Sequence, residues 1–191
     1  MRRIALLISI VAAFALCAGA QTVIDFHDMP FAFAPSPMPD NYPTGMGLYW
    51  DNFSYVTPGL WSGEGKGFWV DPSTRPNDVA FAGGPLCNLR VPCTAMIKMI
   101  PMVAAPANKT FTPVTITLAA GWQDNKVTVT AYNNGTYVGT LVWQLMTKPT
   151  TYTFPAAWKV TQLAFTPEYL GDNAVAPQGS VVIYKFMLMM N

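Results

Sequence analysis

Seven aromatic side chains crowd one stretch of this chain: Tyr49, Trp50, Phe53, Tyr55, Trp61, Phe68 and Trp69. Between them stand Asp51, Asn52 and Glu64. Sugars present C–H faces that stack on exposed rings, while carboxylates and amides hold their hydroxyls, and a largely apolar cleft with a few polar groups suits such a ligand. On that chemistry the candidate ligand-binding residues are Trp50, Asp51, Trp61, Glu64 and Trp69. The same aromatics are also the usual filling of a sandwich core. Strand alternation predicts Trp50, Asn52 and Ser54 on one face and Tyr49, Phe53 and Tyr55 on the other. A glycan on Asn52 would place Trp50 on the wet face.

Catalytic chemistry has little material. His27 is the chain's one histidine, so a Ser-His-Asp triad would have to use it. A glycosidase needs two carboxylates across a cleft, and Asp51, Glu64, Asp71, Asp124 and Asp172 are merely an acidic loop set. Gly63-Glu64-Gly65-Lys66-Gly67 lacks the spacing of a phosphate loop and the Ser/Thr after its lysine. No catalytic residue is assigned. Eleven Lys+Arg against ten Asp+Glu leave a formal charge of +1, without the concentrated basic face that nucleic acid requires. Three Cys and one His exclude a Cys/His-dense zinc module.

Residues 1–20 read as a secretory signal peptide. Arg2 and Arg3 form the basic start, Ile4 to Cys17 the apolar run, and Ala18-Gly19-Ala20 the small residues before cleavage. The run is shorter than the roughly 20 residues that span a bilayer. The expected product is extracellular, free of the membrane, and covers residues 21–191 as one domain, with 191 − 20 = 171 residues. In an oxidising compartment Cys87 and Cys93 are its only pair and are expected to bond. Three sequons, at Asn52, Asn108 and Asn134, are expected glycosylation positions.

No helical period of useful length occurs. Short β-rich runs recur between Pro, Gly and Asn, the pattern of an all-β sandwich or barrel. Predicted strands include 22–26, 48–56, 67–71, 79–82, 95–102, 114–119, 126–132, 137–145, 150–154, 158–165 and 181–189. Around Asn133-Asn134-Gly135 the two-beat pattern predicts a hairpin with Tyr137, Leu141, Trp143 and Leu145 on one face. The Pro- and Met-rich segment 21–46, beyond its first strand, is expected to wrap the sandwich as an ordered loop covering an edge, with a mobile arm as the alternative.

Four motifs stand out: Ile24-Asp25-Phe26-His27-Asp28-Met29-Pro30, Gly47-Leu48-Tyr49-Trp50-Asp51-Asn52-Phe53, Asn77-Asp78-Val79-Ala80-Phe81, and Ala120-Gly121-Trp122-Gln123-Asp124 before Val127 to Thr130. Together they resemble a family of small secreted proteins of fungi and of bacteria, the latter often with a PEP-CTERM sorting tail. Thr153-Phe154-Pro155 and Leu163-Ala164-Phe165 resemble its closing strands. The resemblance implies a jelly-roll-like antiparallel β-sandwich, similar to carbohydrate-binding modules, and no known reaction. His27 stands where the family carries an acidic residue, and Tyr184 and Lys185 where it carries an acidic residue and Asn.

Related-looking sandwiches often hold a structural calcium between first and last strands. Calcium needs six to eight oxygens, and Tyr184 and Lys185 supply no carboxylate, which leaves Asp25 with Asp28 as the only metal candidates, against plain polar residues on a wet face. No other cofactor is expected. The expected function is non-catalytic binding of a cell-wall or cell-surface glycan. A structural or adhesive wall protein and a glycan-active hydrolase are the alternatives.

Overall fold

The computed structural model describes residues 20–59, 78–82, 94–99, 109–169 and 181–191. The expected signal run, strand 67–71, the Cys87–Cys93 disulfide, the Asn108 sequon, and Trp61, Glu64 and Trp69 lie outside the described residues. Among those described there is no helix long and apolar enough to cross a membrane.

The fold is all-β. The strands are β1 (Gln21–Ile24), β2 (Ser36–Pro37), β3 (Leu48–Asp51), β4 (Phe53–Val56), β5 (Val79–Ala82), β6 (Ala95–Met99), β7 (Phe111–Ala120), β8 (Asn125–Asn133), β9 (Thr136–Leu145), β10 (Thr150–Thr153), β11 (Gln162–Tyr169) and β12 (Val181–Met190). One sheet of seven runs β10-β7-β12-β5-β4-β2, with β1 also paired to β12. The other, of five, runs β3-β6-β11-β8-β9. The strand pairs are antiparallel.

The two sheets meet through rings and branched side chains. Phe53 of β4 and Phe165 of β11 touch edge to face with centroids 6.0 Å apart, joining one sheet to the other. In β8 alternate residues Val127, Val129 and Ala131 are buried while Lys126, Thr128 and Thr130 are half-exposed, the two-beat pattern made visible. Each large apolar side chain removed from water stabilises the sandwich by about 1.5–3 kcal/mol.

Residues 48–56 correct the expectation of one strand. Asn52 takes a φ of 59°, which asparagine tolerates better than most residues, and its Nδ2 donates to the Thr94 carbonyl at 3.1 Å. The chain turns there, so β3 joins the five-stranded sheet and β4 the seven-stranded one. Alternation is reset, and Trp50 and Phe53 both enter the core with centroids 5.3 Å apart. Residues 158–161 are also not strand. Trp158 closes a turn onto the Pro155 carbonyl, and only an isolated bridge joins Val160 to Phe111.

The Pro-rich segment is fastened along β4. Met38 N–H donates to the Phe53 carbonyl at 3.1 Å, and Ser36 and Pro37 pair with Tyr55 and Ser54. A proline on an outer strand has no N–H to offer a further neighbour. Ala32 is held at both ends: its N–H donates to Thr57 Oγ1 at 2.9 Å, and its carbonyl accepts from the Thr57 N–H at 3.1 Å.

Thr57 also hydrogen-bonds buried Asp78. Burial pushes the Asp78 carboxyl above its ordinary range, opposed by that hydroxyl. A carboxyl raised in the fold binds its proton more tightly there than in the unfolded chain. Its contribution to stability therefore falls as pH rises from the ordinary value through the raised one. Asp78→Asn keeps an acceptor for Thr57 and removes the buried charge. It should raise Tm at pH 7 by a few degrees, with the gain vanishing in acid. Thermal scans at several pH values check this, and a Tm lowered at pH 7 contradicts it.

Candidate functional site

The five-stranded sheet turns its other face to solvent, and its register builds rows across strands that are far apart in the chain. One row runs Tyr49, Lys98, Gln162, Tyr132, Tyr137 from β3 to β9. The next runs Asp51, Met96, Ala164, Thr130, Thr140. Beyond lie Thr166, Thr128 and Val142, then Glu168, Lys126 and Gln144. With neighbouring strands about 4.8 Å apart, a five-residue row extends about 19 Å.

The first row is aromatic at its ends and polar between. Tyr137 is 61% exposed, and its ring meets Tyr132 edge-on at 6.4 Å. Its hydroxyl donates to Thr140 Oγ1 at 3.2 Å, and Thr140 Oγ1 in turn donates to Thr130 at 3.4 Å. Lys98 Nζ donates to Asp51 Oδ2 at 2.7 Å, which fixes the ammonium between rows. Gln162 Nε2 lies 3.2 Å from Met96 Sδ. Farther along, Lys126 and Glu168 pair at 2.6 Å. These half-exposed pairs are worth little as stability and more as fixed polar groups.

Tyr137 departs from the expected hairpin. Asn134 and Gly135 take φ of 48° and 79°, the turn that matches strand twist. A register shift between Ala131 and Tyr132 then moves Tyr137 to the outer face, while Leu141 and Trp143 pack on the core.

The sequence-derived candidates divide. Asp51 lies on the polar face, salt-bridged to Lys98. Trp50 is corrected: it is 3% exposed, its Nε1–H donates to the Tyr42 carbonyl at 2.7 Å, and Phe26 meets its ring at 5.6 Å. A ring enclosed on all sides cannot stack on a ligand, so Trp50 is core. In the Asn52 sequon the amide donates to the Thr94 carbonyl at 3.1 Å, and Ser54 is fully buried. Asn134 is exposed at the hairpin tip.

The metal candidates are each engaged by protein. Asp25 Oδ1 lies 2.6 Å from His27 Nδ1, and Asp28 Oδ1 accepts from the Tyr42 hydroxyl at 2.6 Å. The hydrogen bond and charge of Asp25 raise the pKa of His27, which is fully solvated. Burial, then the Asp28 bond, pushes the Tyr42 phenol far up, so it stays a donor. Among the described residues no three His, Cys, Asp or Glu gather closely enough to hold a metal.

Sequence reasoning missed Lys98, Gln162, Tyr132 and Tyr137, which belong together only through sheet register. It also missed Phe31 and Phe33, 77% and 71% exposed on either side of fastened Ala32. Two rings spaced by one residue in an aperiodic proline-rich run were the available signal.

No family model and no curated protein matches the chain, so the resemblance to small secreted proteins rests on its short motifs. Solved structures with some likeness include a family 29 carbohydrate-binding module, at 13% identity and TM-score 0.38 over 90% of this chain and 92% of the module. The family 32 carbohydrate-binding module of C. perfringens NanJ, in complex with galactose, is similar at 12% identity and TM-score 0.36, covering 88% of this chain and 92% of that one. The cleaved adhesin domain of Lys-gingipain from Porphyromonas gingivalis W83 is similar at 14% identity and TM-score 0.41, covering 91% and 99%.

Proposed function

We propose that this chain, exported and freed of residues 1–20, is a non-catalytic β-sandwich that binds a cell-wall or cell-surface glycan on the outer face of its five-stranded sheet. The observation that carries the reading is the row Tyr49, Lys98, Gln162, Tyr132, Tyr137. Tyrosine rings offer faces for sugar C–H groups, and an ammonium and an amide between them meet hydroxyls. A flat, partly apolar surface with a few fixed polar groups is what an extended sugar chain requires. The adjoining row adds the Asp51 carboxylate and the hydroxyls of Thr130 and Thr140 beside it.

Retention on insoluble polysaccharides, followed by a glycan array, tests this. Tyr137→Ala removes an exposed ring and should weaken binding about five- to tenfold, the worth of one ring contact of about 1–1.4 kcal/mol. Stability should change by less than about 0.5 kcal/mol, because the ring is mostly in water already. Tyr49→Ala with Gln162→Ala should weaken binding further. Unchanged retention in both variants, or no retention of the wild type by any polysaccharide, sinks the reading.

A further inference from the structure

The charges on the outer face of the five-stranded sheet cancel in contact. Its strands carry four ionised residues, Asp51 on β3, Lys98 on β6, Lys126 on β8 and Glu168 on β11, and β9 carries none. Alternation puts all four on this one face, because their neighbours Trp50, Ile97 and Val127, and Phe165 on β11, enter the core. Each stands against its opposite. Lys98 Nζ lies 2.7 Å from Asp51 Oδ2, and Lys126 Nζ lies 2.6 Å from Glu168 Oε2. The first pair spans the two rows nearest Tyr49, and the second closes the far end of the face.

An ammonium has three N–H donors and a carboxylate about four lone-pair sites, so one bond between them leaves both with capacity to spare. Each pair therefore donates and accepts at one spot with no net charge. The Gln162 amide between the pairs and the hydroxyls of Thr128, Thr130, Thr140 and Thr166 also work in both senses. A sugar hydroxyl donates and accepts too, and meets a partner whichever way it turns. A uronate or sulfate group only accepts. It would find each ammonium already facing a carboxylate, and would bring a second negative charge beside Asp51 or Glu168.

We propose that this face selects neutral sugar chains and turns away uronate- and sulfate-bearing ones, with Asp51 and Glu168 setting the choice by holding Lys98 and Lys126. The inference rests on the glycan reading above and goes beyond it in naming the class of chain. A surface built for an acidic chain leaves its cations to the ligand, since ammonium-to-anion bonds are the strong ones. Here each lysine of the five strands has a carboxylate partner. Such discrimination comes from a repulsive group as much as from an attractive one.

Retention at low salt tests the choice, on insoluble cellulose, chitin, mannan and galactan as neutral chains and on beads bearing polygalacturonate or dextran sulfate as acidic ones. The wild type should be held by a neutral chain and pass through both acidic columns. Asp51→Asn keeps the shape, removes one negative charge and leaves Lys98 unopposed. Acidic retention relative to neutral should then rise about fivefold, and fall back at high salt. Glu168→Gln should do the same through Lys126. Its side chain is 58% exposed, so it stands alone should Asp51→Asn not fold, which far-UV circular dichroism reports. A wild type held by the acidic beads as well as by any neutral chain overturns this proposal while glycan binding stands. A ratio that moves in neither folded variant overturns the part given to the two carboxylates. A wild type held by none of these materials ends the glycan reading itself, and this one with it.

Discussion

Trp50→Ala should destabilise the protein by about 3–5 kcal/mol, the cost of deleting a large buried ring and leaving a cavity. Phe26 and Phe53 both meet that ring edge-on, and Tyr42 stacks on Phe26 at 5.8 Å. The deletion therefore loosens three elements at once: the first strand's exit, the turn before β3, and the start of β4. Typical total stabilities are 5–15 kcal/mol, so such a loss brings the fold near its limit. Urea titration should show a lower midpoint at unchanged slope. Trp50→Phe separates packing from hydrogen bonding. It keeps a ring but leaves the Tyr42 carbonyl without its donor, at about 1–3 kcal/mol. If Trp50→Ala leaves the midpoint within error of wild type, the aromatic cluster is not what joins these segments.

Gly139→Val should be the second severe change. A Cβ at this position would lie 2.9 Å from Trp158 Cζ2 and 3.2 Å from its Cε2 and Nε1. Trp158 is buried and braced by Phe154 at 5.9 Å, so the indole has little room to retreat. Overpacking of this kind costs about 1–3 kcal/mol, with valine above alanine. The position explains why β9 carries a glycine although glycine is a poor strand residue. The indole occupies the space where a side chain would stand. Contacting residues couple, so Trp158→Phe in the same chain should recover part of the loss. Thermal unfolding of the two single variants and the double variant measures this, and strictly additive losses would argue that Gly139 and Trp158 are independent.

Local rules reached much of this fold. The alternation of Val127, Val129 and Ala131, the Asn-Gly turn, and the apolar run at residues 181–189 all sit in strands. These features depend on neighbours in sequence, and strand pairing preserves them. What failed depended on single residues that reset the two-beat count. Asn52 breaks an aromatic run whose composition is strand-like throughout, and that one backbone turn carries Trp50 and Phe53 to the same side. The shift at Ala131 and Tyr132 does the same to Tyr137. Asp51 entered the candidate list through its aromatic neighbours, yet its observed companions are Lys98 and Met96, nearly fifty residues away. The tyrosine row draws on five strands, and only sheet order makes it a row.

The position of β12 has a further consequence, for how the polypeptide acquires its shape. β12 bonds to β7 on one side and to β5 and β1 on the other. Without residues 181–190 the larger sheet is two disconnected ribbons, β10-β7 and β5-β4-β2, and β1 has no mate. During synthesis, therefore, the earliest strand waits for the latest, and contacts spanning such distances form slowly. A nascent chain halted before Val181 should remain protease-sensitive and in need of a chaperone's shelter, however long it is given.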